Sequence, residues 1–171
     1  MKKHILTTLI LAIAMLAQGQ SDYDSTVWNA NTFDFWKGDW ALTWTNAQGA
    51  EEHGSNLIES TLNDIVIQEK FEAGEGSLKG YIGKSWTVWN PRTKEWKQTW
   101  VDNQGSYLDF VGALVDGNPV FRRTVTVNGK TTMQRMVFLE ITKDDFRWDW
   151  DNSADGGKTW NLSWQIAYKR K

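Results

Sequence analysis

The sequence predicts an all-β fold: a single antiparallel β-barrel of about ten strands, preceded by a short N-terminal helical turn. Three observations carry this. Turn-forming clusters of Asn, Asp and Gly punctuate the chain at short, regular intervals. The segments between them are rich in Trp, Val, Ile, Thr, Phe and Tyr. Several of those segments alternate apolar and polar residues with period two, and none after residue 40 carries a long helical stripe.

The helical turn comes first, in FDFWKGDW. Thr32 is placed to cap one turn through Phe33 to Trp36, which then runs into strand. Strands are expected at 38–46, 50–61, 64–72, 77–89, 94–102, 106–115, 119–127, 130–141, 145–151 and 158–169. In the first, Trp40, Leu42 and Trp44 share one face against Ala41, Thr43 and Thr45. In the third, Glu69 shares a face with Ile65, Ile67 and Phe71. In the fifth, Trp96, Gln98, Trp100 and Asp102 alternate with Lys97, Thr99 and Val101. From 106 to 140 both alternations are partly apolar, so the inward face is open there: Arg122 or Arg123, and Gln134 or Arg135. Asn128-Gly129 is the strongest two-residue hairpin signal in the chain. In the ninth strand Phe146, Trp148 and Trp150 oppose Arg147, Asp149 and Asp151. In the last, Trp160, Leu162, Trp164, Ile166 and Tyr168 oppose Asn161, Ser163, Gln165 and Ala167. One apolar and one polar face is the pattern of an antiparallel sheet covered on one side.

The chain has 12 tryptophans, and the alternation turns most of them inward. A barrel of about ten strands is wider than the roughly eight-stranded size whose side chains just fill it. Large rings then narrow the lumen and line a cavity. Trp44, Trp86, Trp100, Trp148 and Trp150 are the expected walls, while Trp40 plugs one end. Glu69, Gln98 and Asp102, with Arg122 as an addition, are the polar groups expected to orient a ligand. The leading function is binding of a small, flat or apolar molecule by stacking and apolar burial. Two alternatives stay open. One is a metal-independent enzyme, a hydrolase or isomerase, using two carboxylates as acid and base on a small molecule or sugar. The other is an interaction module with a solid core.

Two motifs are local. Gly38-Asp39-Trp40 is a G-x-W at the start of the first strand. It resembles the opening of lipocalins and the wider calycin superfamily, in which the glycine permits close approach and the tryptophan plugs a barrel end. Together, FDFWKGDW, WKQTWVD (96–102) and DGGKTW (155–160) resemble the DUF1579 family of small secreted bacterial proteins, over nearly all of the chain after the leader. That resemblance implies a calycin-like barrel and assigns no chemistry. Nitrobindins, calycin relatives, hold haem through a late-strand histidine. No histidine follows residue 53 here, so no haem is expected, and no cofactor is assigned. Ser153, Asp155, Gly157, Thr159 and Trp160 fit the S-x-D-x-G-x-T-W pattern of sialidase Asp-boxes, which is read as a fastener for the last hairpin.

The ends and the composition bound the rest. Residues 1–19 read as a secretory signal peptide, with Lys2 and Lys3, an apolar run over 5–17, and Ala17 and Gly19 before the cut. Residues 20–32 form a polar leader and 33–171 the barrel, which is expected to be secreted or periplasmic, with no membrane insertion after cleavage. There is no cysteine, so stability rests on an ordinary core. Removing Lys2 and Lys3 leaves 17 basic against 21 acidic residues, a net charge of −4 that attracts no nucleic acid. Once His4 leaves with the leader, His53 is the lone histidine, so no multi-histidine metal site is available and His53 is read as a partly exposed strand residue. No catalytic residue and no metal ligand is assigned. The candidate partners are a small-molecule ligand and a second copy of the chain.

Overall fold

The structure is a computed structural model, and it describes residues 27–171. The expected signal peptide and most of the polar leader lie outside the described residues. A 3-10 turn at Asp34–Trp36 leads into ten strands: β1 Gly38–Thr45, β2 Glu51–Thr61, β3 Val66–Ala73, β4 Ile82–Asn90, β5 Glu95–Asp102, β6 Tyr107–Val115, β7 Asn118–Val127, β8 Lys130–Leu139, β9 Asp145–Ser153 and β10 Asn161–Arg170. Each strand pairs antiparallel with its sequence neighbours, and β1 pairs with β10 to close the barrel. Closure leaves no free strand edge.

The turn chemistry sets the registers. Asn128 and Gly129 both have positive φ, 50° and 76°, as a two-residue hairpin between β7 and β8 requires. The Asp-box closes the last hairpin as expected. Asp155 accepts from Lys158 N, Thr159 N and Thr159 Oγ1, and Ser153 Oγ donates to it at 2.8 Å. Trp160 lies outside the barrel under the Arg135 guanidinium, 4.1 Å from ring centroid to Cζ, and Arg135 is paired in turn with Asp151 at 2.8 Å.

One end of the barrel is solid. Phe33, Trp36, Trp40, Phe121, Phe138 and Phe146 meet there, mostly edge to face, with centroids 4.6–6.4 Å apart. Trp40 is fully buried and donates to Trp36 O at 2.8 Å. The Arg170 guanidinium lies 4.2 Å over its ring and donates to Lys37 O. Gly38 makes this possible: at φ +149° it leaves space that a Cβ would take, 2.1 Å from Arg170 Nη1. The G-x-W motif is thus an end plug.

Four expectations need correction. Thr32 does not cap the helical turn; its hydroxyl accepts from Asn29 N and donates to Val27 O, fixing the preceding turn. The packed unit also starts inside the expected leader, because Trp28 packs on Phe33 and Trp89. Ile65 does not join Glu69 inside: Leu62, Asn63 and Asp64 all take positive φ, and this turn leaves Ile65 63% exposed. In β10 a register shift between Leu162 and Trp164 breaks the alternation, so Leu162 faces out at 55% exposure while Trp164 faces in.

Candidate functional site

The inward faces of ten strands, closed at one end by aromatic rings, leave a cavity of about 210 Å³ toward the other end. Its wall is a belt of rings. Trp148 and Trp150 stack at 6.1 Å, and Trp164 meets Trp148 edge-on at 5.8 Å. Phe71 bridges Trp164 and Trp100 at 6.1 Å each, and Phe110 stands edge-on to Trp150. Leu108, Met136, Ile166 and Tyr81 fill the gaps. Trp100 has its place because position 83 is glycine: a Cβ there would sit 1.9 Å from Trp100 Cζ2.

The polar groups of the cavity are few and deep. Glu69 lines it and is 6% exposed. Its carboxylate accepts from Asn56 Nδ2 and Ser85 Oγ, both at 2.6 Å. Burial pushes its pKa above the usual carboxylate range, against the opposing pull of Ser85 and Asn56. Gln98 stands behind, donating to Thr87 Oγ1 at 3.0 Å and to Ser85 Oγ at 3.4 Å. It holds Ser85, which holds Glu69, and is therefore a positioning residue. Asn56 also donates to the Tyr168 hydroxyl at 3.1 Å. Burial, reinforced by the charge of Glu69, pushes the Tyr168 phenol up. Trp36 lines the same cavity, and its Nε1 is buried with no hydrogen-bond partner among the described residues. Trp28, Trp40, Trp44, Trp96 and Trp100 all have partners for theirs. An indole N–H left unpaired inside costs free energy, and Trp36 is a wall residue that carries one.

Two carboxylates brace the same end of the barrel. Asp102 accepts from Tyr81 OH, Trp100 Nε1, Gln104 N and Ser106 N at 2.9–3.0 Å. Burial works to raise its pKa, but the donors, Ser106 N first, outweigh it and hold the group well below the usual range. Glu52 accepts from Trp44 Nε1, Asn46 Nδ2, Ser77 N and Ser77 Oγ at 2.6–3.0 Å. Those donors, led by Ser77 N, lower it to about 2. Together they tie down the 74–81 connection, which brings Leu78 and Tyr81 against the interior.

The expected site residues therefore divide. Glu69, Trp100, Trp148 and Trp150 line the cavity. Trp44 is buried behind Trp164, 5.6 Å away, and Gln98 and Asp102 act through their neighbours. Trp86 and Arg122 are corrections. Trp86 faces outward, 37% exposed, because the inward positions of β4 go to Ser85 and Thr87, the partners of Glu69 and Gln98. Arg122 is exposed and Arg123 faces in, 5.7 Å from the Phe110 ring. Between the two open alternatives of β8, Gln134 is the residue opposite Arg123, and Arg135 is outside. Sequence reasoning did not single out Tyr81, Leu108, Phe110 or Met136 as lining residues. Tyr81 falls in the stretch expected as the start of the fourth strand, on the face opposite Trp86, but lies in a connection; the other three lie where both faces are partly apolar. His53 is exposed, beside Glu51 and Thr43, as read.

Fold and site together define a closed ten-stranded antiparallel barrel with an aromatic-lined interior. No protein-family model and no curated protein matches the chain. Among solved structures the chain is similar to a redesigned beta barrel, at 13% identity and a TM-score of 0.40, with 89% of this chain and 99% of that one covered. No helix among the described residues is long and apolar enough to cross a membrane, and they hold no cluster of three or more metal-ligating side chains.

Proposed function

We propose that this protein binds a small, flat, largely apolar molecule in the cavity ringed by Trp100, Trp148, Trp150 and Trp164. The observation that carries the reading is the combination around one cavity of stacked indoles, the buried Glu69 carboxylate and Trp36, whose N–H is unpaired. Apolar walls with a few convergent polar groups are what small-molecule sites are made of. An engineered cavity of about 150 Å³ takes up benzene, so about 210 Å³ accommodates one ring with a short substituent. The secretory leader, and membership of the DUF1579 family on the FDFWKGDW, WKQTWVD and DGGKTW stretches, belong to the same proposal: a secreted or periplasmic carrier or scavenger.

Titration of the full protein with ethylbenzene, read by tryptophan fluorescence, tests it. Saturable 1:1 quenching is expected, and it is expected to vanish in Leu108→Trp, whose indole fills the cavity while the fold, checked by circular dichroism, persists. A linear, unsaturable response in the unaltered protein would contradict the reading.

A further inference from the structure

The interior holds an acid, Glu69, with which no base pairs among the described residues. Its two oxygens are held only by the neutral donors Asn56 and Ser85. Arg123, the inward-facing cation of β7, lies over the Phe110 ring with its Nε and Nη1 buried and unpaired among the described residues, and it makes no ion pair with Glu69. A buried carboxylate is costly unless a cation or several hydrogen bonds compensate it. Two neutral donors leave lone pairs over, and Glu69 presents itself to the cavity.

The surroundings are those that favour an organic cation. Trp100, Trp148, Trp150, Trp164 and Tyr81 line the same cavity. The faces of such rings carry negative potential and attract ammonium groups, most strongly when water is excluded. A metal ion needs several oxygen or nitrogen ligands, and the described residues provide no such cluster. An amine needs only one carboxylate and apolar walls for its carbon skeleton.

We infer that the ligand is a protonated amine carrying a single ring, its ammonium on Glu69 and its ring between the indoles. This rests on the cavity being a binding site and adds the charge of the ligand. The amine loses water on entry, and the carboxylate and ring faces replace it. An anion of the same size meets Glu69 with repulsion.

Isothermal titration with three matched probes separates the claims. They are phenethylamine, its neutral isostere propylbenzene, and phenylacetate, all at pH 7.5 with the full protein. Phenethylamine is expected to bind at least tenfold tighter than propylbenzene, and phenylacetate more weakly than either. Glu69→Gln is expected to reduce phenethylamine affinity to that of propylbenzene and to leave propylbenzene within twofold. Propylbenzene binding as tightly as phenethylamine, or tighter, would overturn the amine assignment and leave the cavity reading standing. Equal weakening of both probes by Glu69→Gln would overturn it too. If no probe binds, the cavity reading itself fails. The probe series on the unaltered protein decides the matter even if the variant does not fold.

Discussion

Glu69 is the residue on which the interior chemistry turns. It is a carboxylate among rings, and burial raises its pKa above the ordinary value of 4.5. The folded state therefore holds this proton to higher pH than the unfolded chain does. The sign follows: between the ordinary value and the raised one the native state binds more protons, so stability falls as pH rises through that window. Glu69→Gln removes this contribution. Urea unfolding at pH 4.5 and pH 8 is expected to show the variant gaining stability relative to the unaltered protein at the higher pH. The same offset at both pH values would contradict it. Trp36 is the second such residue. Its sequence position, inside a three-residue turn, gives no sign that its N–H stays unpaired, because that depends on which carbonyls the closed barrel brings near.

Among elements, the strands were legible because Asn, Asp and Gly turns bound them and because one face of each is apolar. Nine of the expected strands start within about three residues of the observed ones, a drift usual for element ends. The fourth starts at Ile82 rather than 77, because the preceding residues serve another purpose: Ser77 binds Glu52, and Tyr81 turns into the barrel toward Asp102. Faces were less legible than strands. Trp86 is bulkier and more apolar than Ser85 and Thr87, yet it is outside, because hydrogen bonds to Glu69 and Gln98 claim the inner positions. Leu162 was misplaced by a bulge that no alternation reveals. The 74–81 connection is an element in its own right, latched by Glu52. That carboxyl sits at about 2, below its ordinary 4.5, so the stabilisation it gives is present at neutral pH and is lost as pH falls through about 2. Glu52→Ala is expected to speed amide exchange across 74–81, most of all at Ser77, by tenfold or more at pH 7. Exchange unchanged there would show that the latch is not what orders the connection.

For the whole molecule, strand number decides what the tryptophans do. Closing ten strands makes an interior wider than that of the roughly eight-stranded barrel whose side chains just fill it. One end is filled by the Phe33, Trp36 and Trp40 plug; the other keeps the cavity, braced by Glu52 and Asp102. The spacing of four in FDFWKGDWALTW is thus two structures in succession. Trp36 belongs to the turn that underlies the barrel, and Trp40 and Trp44 to one face of β1. That most of the tryptophans turn inward could be read from alternation, though Trp86 and Trp160 do not; that the inward ones stop short of filling the barrel could not, because the remaining volume depends on how the rings lean on one another. Crystals of the full protein under xenon pressure measure that volume directly. A xenon atom is expected between Trp100, Trp148 and Trp150, in contact with Phe110. Interior density continuous from ring to ring, with no xenon site among them, would contradict a binding cavity and leave only the barrel.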